Sequence, residues 1–175
     1  SPWWPGTPGV LYNAMIHPIT SFPISGVIWY QGESNTGTAA TYASLFSKMI
    51  EAWRMAWKEP FPFYYVQIAP FAYGTPYVGA LLREAQTQCL QVPHTGMVVV
   101  SDLVNDTSNI HPIDKTDVGR RLANLALTET YGQKGLPCYF PLYESMAVEK
   151  DKIRVRFSHA EGGLQAKGGE PVGFY

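Results

Sequence analysis

Gly26-Val-Ile-Trp-Tyr-Gln31 is a short, unbroken apolar run of β-branched and aromatic residues, and Gly32-Glu-Ser-Asn-Thr-Gly37 follows it with turn residues. Apolar residues without alternation fit a strand buried on both faces, the kind a parallel sheet uses. From Ala39 to Lys58, Tyr42, Leu45, Phe46, Met49, Ile50, Trp53 and Trp57 recur at spacings of three and four. That spacing predicts an amphipathic helix, with Thr38 as its candidate N-cap. Pro60 and Pro62 close it. Phe63-Tyr-Tyr-Val-Gln-Ile68 reads as a second strand, Val78–Leu90 as a second helix and Met97-Val-Val-Val-Ser101 as a third strand. A loop from Asp102 to Pro112 leads into a helix from about Lys115 to Tyr131, stopped by Gly132. Strand and helix alternate three times, which implies an α/β fold with a parallel sheet and helices on both faces.

On the N-terminal side, Pro2, Pro5, Pro8, Pro18 and Pro23 make residues 1–25 mostly loop, with room for a short helix at Gly9–Ile16. On the C-terminal side the pattern changes after Gly135. Lys152-Ile-Arg-Val-Arg-Phe157 alternates charged and apolar residues, as a strand with one wet face does. Ala147–Phe157 reads as a hairpin arm, and Gly162–Gly173 is a glycine-rich connection. Residues 1–135 are therefore expected to form one α/β part and residues 136–175 the start of a β-rich appendage. A single hairpin cannot bury its own face, so the appendage reads as truncated at Tyr175. The start at Ser1 without a Met, and the lack of an earlier strand, read as a sheet incomplete at its N-terminal side.

Composition narrows the function classes. The 175 residues carry 13 Lys plus Arg against 14 Asp plus Glu, a formal charge of −1, so the chain lacks the basic excess of a nucleic-acid binder. With 46% hydrophobic and 15% charged residues it is too apolar to be disordered. No apolar run approaches the roughly 18 residues needed to span a membrane. Cys89 and Cys138 give neither a disulfide framework nor a metal-ligand spacing. The 24 aromatic residues, 5 Trp, 11 Tyr and 8 Phe, suit both a core and a sugar-facing surface. The Trp53 and Trp57 faces read as helix core, and Trp3-Trp4 as part of a Pro-rich loop open to a ligand-facing role.

In a parallel α/β sheet, ligands bind at the carboxyl ends of the strands. Two loops leave such ends, Gln31–Asn35 after the first strand and Asp102–His111 after the third. Between them they hold an imidazole, carboxylates and neutral donors, the components of acyl-transfer chemistry. His17, His94 and His159 have no comparable setting and read as structural; Arg120 and Arg121 read as helix surface, with pairing of one to an acid as the alternative.

Trp29-Tyr-Gln-Gly-Glu-Ser-Asn35, taken with Asn109-Ile-His-Pro-Ile-Asp-Lys115 and Val118-Gly-Arg-Arg-Leu-Ala123, closely resembles the sialate O-acetylesterase family. Acetyl xylan esterases are similar over the same two segments. Leu11-Tyr-Asn-Ala-Met-Ile16 and Leu82-Arg-Glu-Ala-Gln86 match family segments too, so the resemblance spans roughly residues 10 to 130. It implies a flavodoxin-like three-layer α/β/α fold of the SGNH-hydrolase type. It also implies serine-dependent removal of acetyl groups from sugars, without a metal or organic cofactor, in an exported or periplasmic protein.

The resemblance further implies that His111 is the general base. Its orienting acid comes either from the Gly-Glu-Ser motif or from an Asp shortly before the His. Here Ser108 and Asn109 hold the second option's positions, which moves the role to Glu33, with Asp106 and Asp102 as fallbacks and Asn109 as a neutral orienting group. Gln31 and Gly32 are candidate oxyanion donors, with Asn35 a further substrate-binding candidate; Gln31 can equally be a loop tie, as can Asn13. Ser34 follows a strand and precedes a helix, yet the residue two positions on is Thr36 rather than Gly, and the interval is slack for a nucleophile elbow. The family carries its nucleophile in a Gly-Gln-Ser-like segment near the start of the domain, which this chain does not contain. The nucleophile is therefore expected upstream of Ser1, with Ser34 as the minor alternative, and the N-terminal remainder of the protein becomes an implied partner beside the O-acetylated carbohydrate. Two other classes remain open: a carbohydrate-binding relative without catalysis, and a lipase-like SGNH esterase with a long apolar pocket.

Overall fold

In a computed structural model, residues 6–165 and 169 are described; Trp3, Trp4 and most of the glycine-rich tail lie outside that range. The described chain falls into two units, Ser1–Cys138 and Tyr139–Tyr175.

The first unit holds strand β1 (Val27–Tyr30), helix α1 (Ala39–Trp57), strand β2 (Phe63–Val66), helix α2 (Val78–Gln88), strand β3 (Thr95–Val98) and helix α3 (Lys115–Glu129). The three strands pair in parallel in the order β1-β2-β3, with Val27 opposite Phe63 and Phe63 opposite Thr95. Side chains alternate along a strand, and β2 shows where each goes. Phe63 and Tyr65 point to one face, where the Phe46 ring of α1 lies 5.7 and 5.2 Å from theirs and the Tyr65 hydroxyl donates to the Gln86 carbonyl of α2. Tyr64 points to the other, where its hydroxyl pairs with Thr130 just past α3. Helices thus cover both faces, and the three-layer α/β architecture expected from the alternation is the one found. Every residue of β2 is buried, as a central parallel strand requires.

Local differences have local causes. The third strand begins at Thr95, two residues before the expected Met97, because its register is set by β2; Gly96 lies where a Cβ would meet Leu125 and Tyr64 at 2.9 and 3.0 Å. Thr38 makes no side-chain cap to α1. A 3-10 helix, Glu33–Thr38, runs straight into α1, and the Thr38 hydroxyl instead donates back to the Asn35 carbonyl. Lys58 ends α1 in the left-handed region, before the prolines. The N-terminal helix is a π-turn over Tyr12–Ile16 followed by a 3-10 turn at His17–Ile19. Trp29, Phe46, Trp53 and Phe63 form one aromatic cluster, in which Trp53 packs on the core while remaining half-buried.

The second unit holds an antiparallel hairpin, β4 (Leu142–Glu149) with β5 (Lys152–Ser158). As expected of a single hairpin, its apolar face is only partly covered: Val148 and Ile153 are 72% and 63% exposed, while Val155 and Phe157 are half-buried.

Candidate active site

Gly32 sets the geometry at the end of β1. Its φ is +152°, and a Cβ there would lie 2.7 Å from the Ile68 side chain and 3.2 Å from the Gln86 amide. Only glycine lets the chain turn this tightly against the end of β2. Gln86, buried on α2, is the tie beneath it. Its Oε1 accepts from Ile68 N–H at 2.8 Å, while its Nε2 donates to the Gln31 and Val66 carbonyls. One amide thus satisfies the backbone of both strands where they leave the ladder.

Beyond that turn the first loop meets the third. Tyr30, Glu33, Ser34, Ile110, His111, Pro112 and Lys115 line one cleft of about 500 Å³. It lies at the carboxyl ends of β1 and β3, where parallel sheets place their ligands. Glu33 and His111 are therefore brought to one cleft. No hydrogen bond joins the Glu33 carboxylate to the His111 imidazole, and neither group has another side-chain hydrogen bond among the described residues. Burial, reinforced by the Glu33 charge and then by Tyr73, pushes the Tyr30 hydroxyl up to about 12, so Tyr30 stays a neutral donor in the cleft. The Lys115 ammonium sits 5.0 Å from the centre of the Tyr30 ring.

The remaining candidates are placed differently. Asp102 receives both Nη atoms of Arg121, at 2.7 and 2.5 Å, so it is engaged with α3, and Arg121 takes the acid-paired alternative of its two readings. Asp106 accepts from the Ser108 N–H and hydroxyl, which hold its carboxyl below the usual range. Asn109 Oδ1 accepts from the His111 backbone N–H at 2.9 Å, orienting the main chain of the base rather than its ring. Gln31 and Asn35 are not in the cleft. Gln31 Nε2 donates to Asn35 Oδ1 at 2.7 Å, and both line a separate pocket of about 160 Å³ against α1 with Tyr42 and Phe46. The Gln31 side chain is thus bonded within its own loop and away from the cleft. The Gly32 N–H has no hydrogen bond among the described residues. Ser34 faces the cleft but sits in the 3-10 helix, and it is not among the described non-glycine residues with positive φ, so it lacks the strained turn of a nucleophile elbow. Sequence reasoning passes over Tyr30, Lys115 and the loop after β2. The signal was available: β2 ends at the same edge as β1 and β3, so its loop belongs to the same rim.

The family described as carbohydrate esterase, sialic acid-specific acetylesterase, matches residues 1–128. A sialate O-acetylesterase from Rattus norvegicus is 35% identical over 162 residues, covering 79% of this chain and 29% of that protein. The Homo sapiens sialate O-acetylesterase is 34% identical over 166 residues, covering 81% of this chain and 31% of that protein. A crystal structure of a carbohydrate acetylesterase from Xanthomonas citri superimposes with a TM-score of 0.78 at 41% identity, covering 85% of this chain and 35% of that one. The chain thus spans under a third of the length of the curated relatives it matches.

Proposed function

The chain belongs to the sialic acid-specific acetylesterase family of carbohydrate esterases, and from that premise we propose that it carries the base-bearing part of an enzyme that hydrolyses O-acetyl esters on carbohydrates. The observation that supports this is the single cleft shared by Glu33 and His111 at the carboxyl edge of the sheet. In this reading His111 takes the proton of a serine as its oxygen attacks the acetyl carbonyl, then returns it to the departing sugar oxygen. Water hydrolyses the acetyl-enzyme in the second half-reaction, with His111 again as base. Glu33 stabilises the imidazolium, and Gly32 N–H is a candidate donor to the developing oxyanion. Sialate and xylan-type glycans both fit as carriers of the ester.

The serine comes from a part of the protein outside these residues. The β1 edge favours this: Ile28 is 69% exposed on the sheet face that α3 covers at β2 and β3, and Tyr30 Oη, on that same face, is buried without a hydrogen-bond partner among the described residues. A further parallel strand and its helix would cover that face. Residues 1–135 then form the later part of the esterase domain, and residues 136–175 begin a β-rich appendage. Export of the protein is read from the family alone; no helix among the described residues is long and apolar enough to cross a membrane.

The second reading makes Ser34 the nucleophile, because it faces the same cleft as His111. Acetate release from an O-acetylated sialic acid by the whole protein separates the two. Activity that survives Ser34→Ala is expected. Activity abolished by Ser34→Ala, and present in the isolated 175-residue chain, would transfer the role to Ser34. No acetate release from any acetylated sugar would end the esterase reading.

A further inference from the structure

The peptide joining Gln31 to Gly32 carries the N–H that is the candidate oxyanion donor. Gly32 is buried, yet this N–H has no hydrogen bond among the described residues. Buried backbone donors are almost always paired, so an unpaired one at a strand end calls for an acceptor that arrives. Both carbonyls beside it are already taken. The Gly32 carbonyl accepts from the Asn35 N–H at 2.7 Å, at the start of the 3-10 helix. The Gln31 carbonyl, in the same peptide plane as the free N–H, accepts from Gln86 Nε2 at 3.3 Å and from the Tyr42 hydroxyl at 3.4 Å.

A trans peptide points its N–H opposite to its carbonyl, and no cis bond occurs among the described residues. Tyr42 and Gln86 draw the carbonyl towards α1 and α2, the helices on the Phe63 and Tyr65 face of the sheet. The N–H is thereby turned away from both helices, towards the side where Tyr30, His111 and Lys115 of α3 line the cleft. The two donors are themselves fixed. Gln86 is 1% exposed, its Oε1 accepts from the Ile68 N–H, and its backbone carbonyl accepts from the Tyr65 hydroxyl at 2.8 Å. Tyr42 is 5% exposed, with its ring 5.4 Å from that of Phe46. Burial pushes its hydroxyl up to about 12, so it stays a neutral donor. Turning the peptide over would unpair both donors and present a carbonyl, not an N–H, to the cleft.

We propose that Gln86 and Tyr42 are positioning residues that hold the Gln31–Gly32 peptide with its N–H aimed at the oxyanion formed during acetyl transfer. Each acts through the carbonyl it holds, not through contact with substrate. The proposal rests on the esterase reading and adds to it the means by which a donor is set in place before substrate binds.

The test uses the whole protein and an O-acetylated N-acetylneuraminate, with kcat counted per folded molecule by circular dichroism. Losing one oxyanion donor outright costs about 10²–10³ in kcat, and a donor that is present but no longer aimed should cost less. Gln86→Met keeps the side-chain length and removes the amide. It is expected to lower kcat by about 10- to 100-fold with KM within about threefold of the starting value. Tyr42→Phe deletes only a hydroxyl and should lower kcat by about 2- to 10-fold, again at constant KM. Methylboronic acid supplies a second readout. The serine oxygen adds to its boron while the imidazole takes the serine proton, leaving a tetrahedral anion of acetyl size. Its inhibition constant should rise in each variant by about the factor by which kcat/KM falls, as for a transition-state analogue. A purely structural role would leave both readouts unchanged per folded molecule. Variants that keep kcat, that raise KM instead, or that lose kcat with unchanged methylboronic acid affinity overturn the positioning role. Should Gln86→Met fail to fold, Tyr42→Phe decides by the same criteria. An unmodified protein that releases no acetate ends the esterase reading and the positioning role together. An active unmodified protein with unaffected variants ends the positioning role alone.

Discussion

The loop leaving β1 is pinned by bonds that reach across the sequence, whereas the last stretch of the loop leaving β3 bonds chiefly to itself. Gln31 is held by Gln86, 55 residues away, and Gly32 is wedged against Ile68. From Asp106 to His111, by contrast, the side-chain bonds are two residues long, Asp106 to Ser108 and Asn109 to His111. Long-range support there comes from Ala72 at Thr107, while Arg121 holds the loop's beginning at Asp102 and Val99. The proposed acid thus stands on a rigid element and the proposed base on a locally tied one. A pair that is not hydrogen-bonded in this structure closes by movement of a side chain or of the base's loop, and catalytic hydrogen bonds often tighten only when substrate is bound. The difference teaches that the two residues should not respond alike to perturbation.

The sharpest way to break that comparison is at the two residues themselves. In the whole protein, His111→Ala should lower kcat for acetyl-ester hydrolysis by at least about 10⁴-fold, since no other imidazole lines the cleft. Glu33→Gln should cost at least about 10²-fold while leaving folding intact by circular dichroism. If Glu33→Gln keeps most of its activity while Asp106→Asn or Asp102→Asn loses it, the acid belongs to the β3 loop and the asymmetry runs the other way. For Asp102 that outcome would require the Arg121 ion pair to open.

A smaller effect tests the rigid side. Gly32→Ala places a methyl 2.7 Å from Ile68 in a backbone conformation that L side chains rarely adopt. Overpacking and positive-φ strain each cost about 1–3 kcal/mol, so the urea midpoint of the whole protein should drop clearly at constant slope. An unchanged midpoint would mean that the β1 turn is not the anchor described above.

The smallest effects belong to the local side. Asn109→Asp keeps an acceptor for the His111 N–H and adds a carboxylate beside the base, so kcat should stay within about threefold of the starting value or rise slightly. Asn109→Ala removes the turn's hydrogen bond and should cost about 1 kcal/mol in local order, read as faster amide exchange from Asn109 to Pro112 with a modest loss of rate. A large loss of activity in Asn109→Asp would show that the geometry of this loop is held more tightly than its short bonds suggest.

Much of this was legible in residues 26–131. Apolar runs of four to six residues alternating with three- and four-spaced helices read directly as a parallel sheet with two helical layers, because burial on both faces leaves no alternation to imitate anything else. The two strand-end loops were legible for the same reason: the carboxyl edge of such a sheet follows from its connectivity. The exact ends of β3 and the caps of α1 were not, since they depend on register with β2 and on a 3-10 helix that local propensity does not separate from a turn. What covers the apolar face of the hairpin was not legible, because alternation states which residues share a face, not whether anything covers it.

By itself the sequence determined the order and type of the elements, and it placed His111 and Glu33 in loops on a common edge, because both follow from periodicity and chain connectivity. Only the tertiary structure decided which polar groups were already occupied. The Gln31 side chain is bonded to Asn35 and its carbonyl to Gln86; Asp102 is engaged because the second turn of the following helix returns Arg121 to it. Hydrogen bonding and desolvation are set by neighbours distant in sequence, and a side chain's availability for chemistry depends on them.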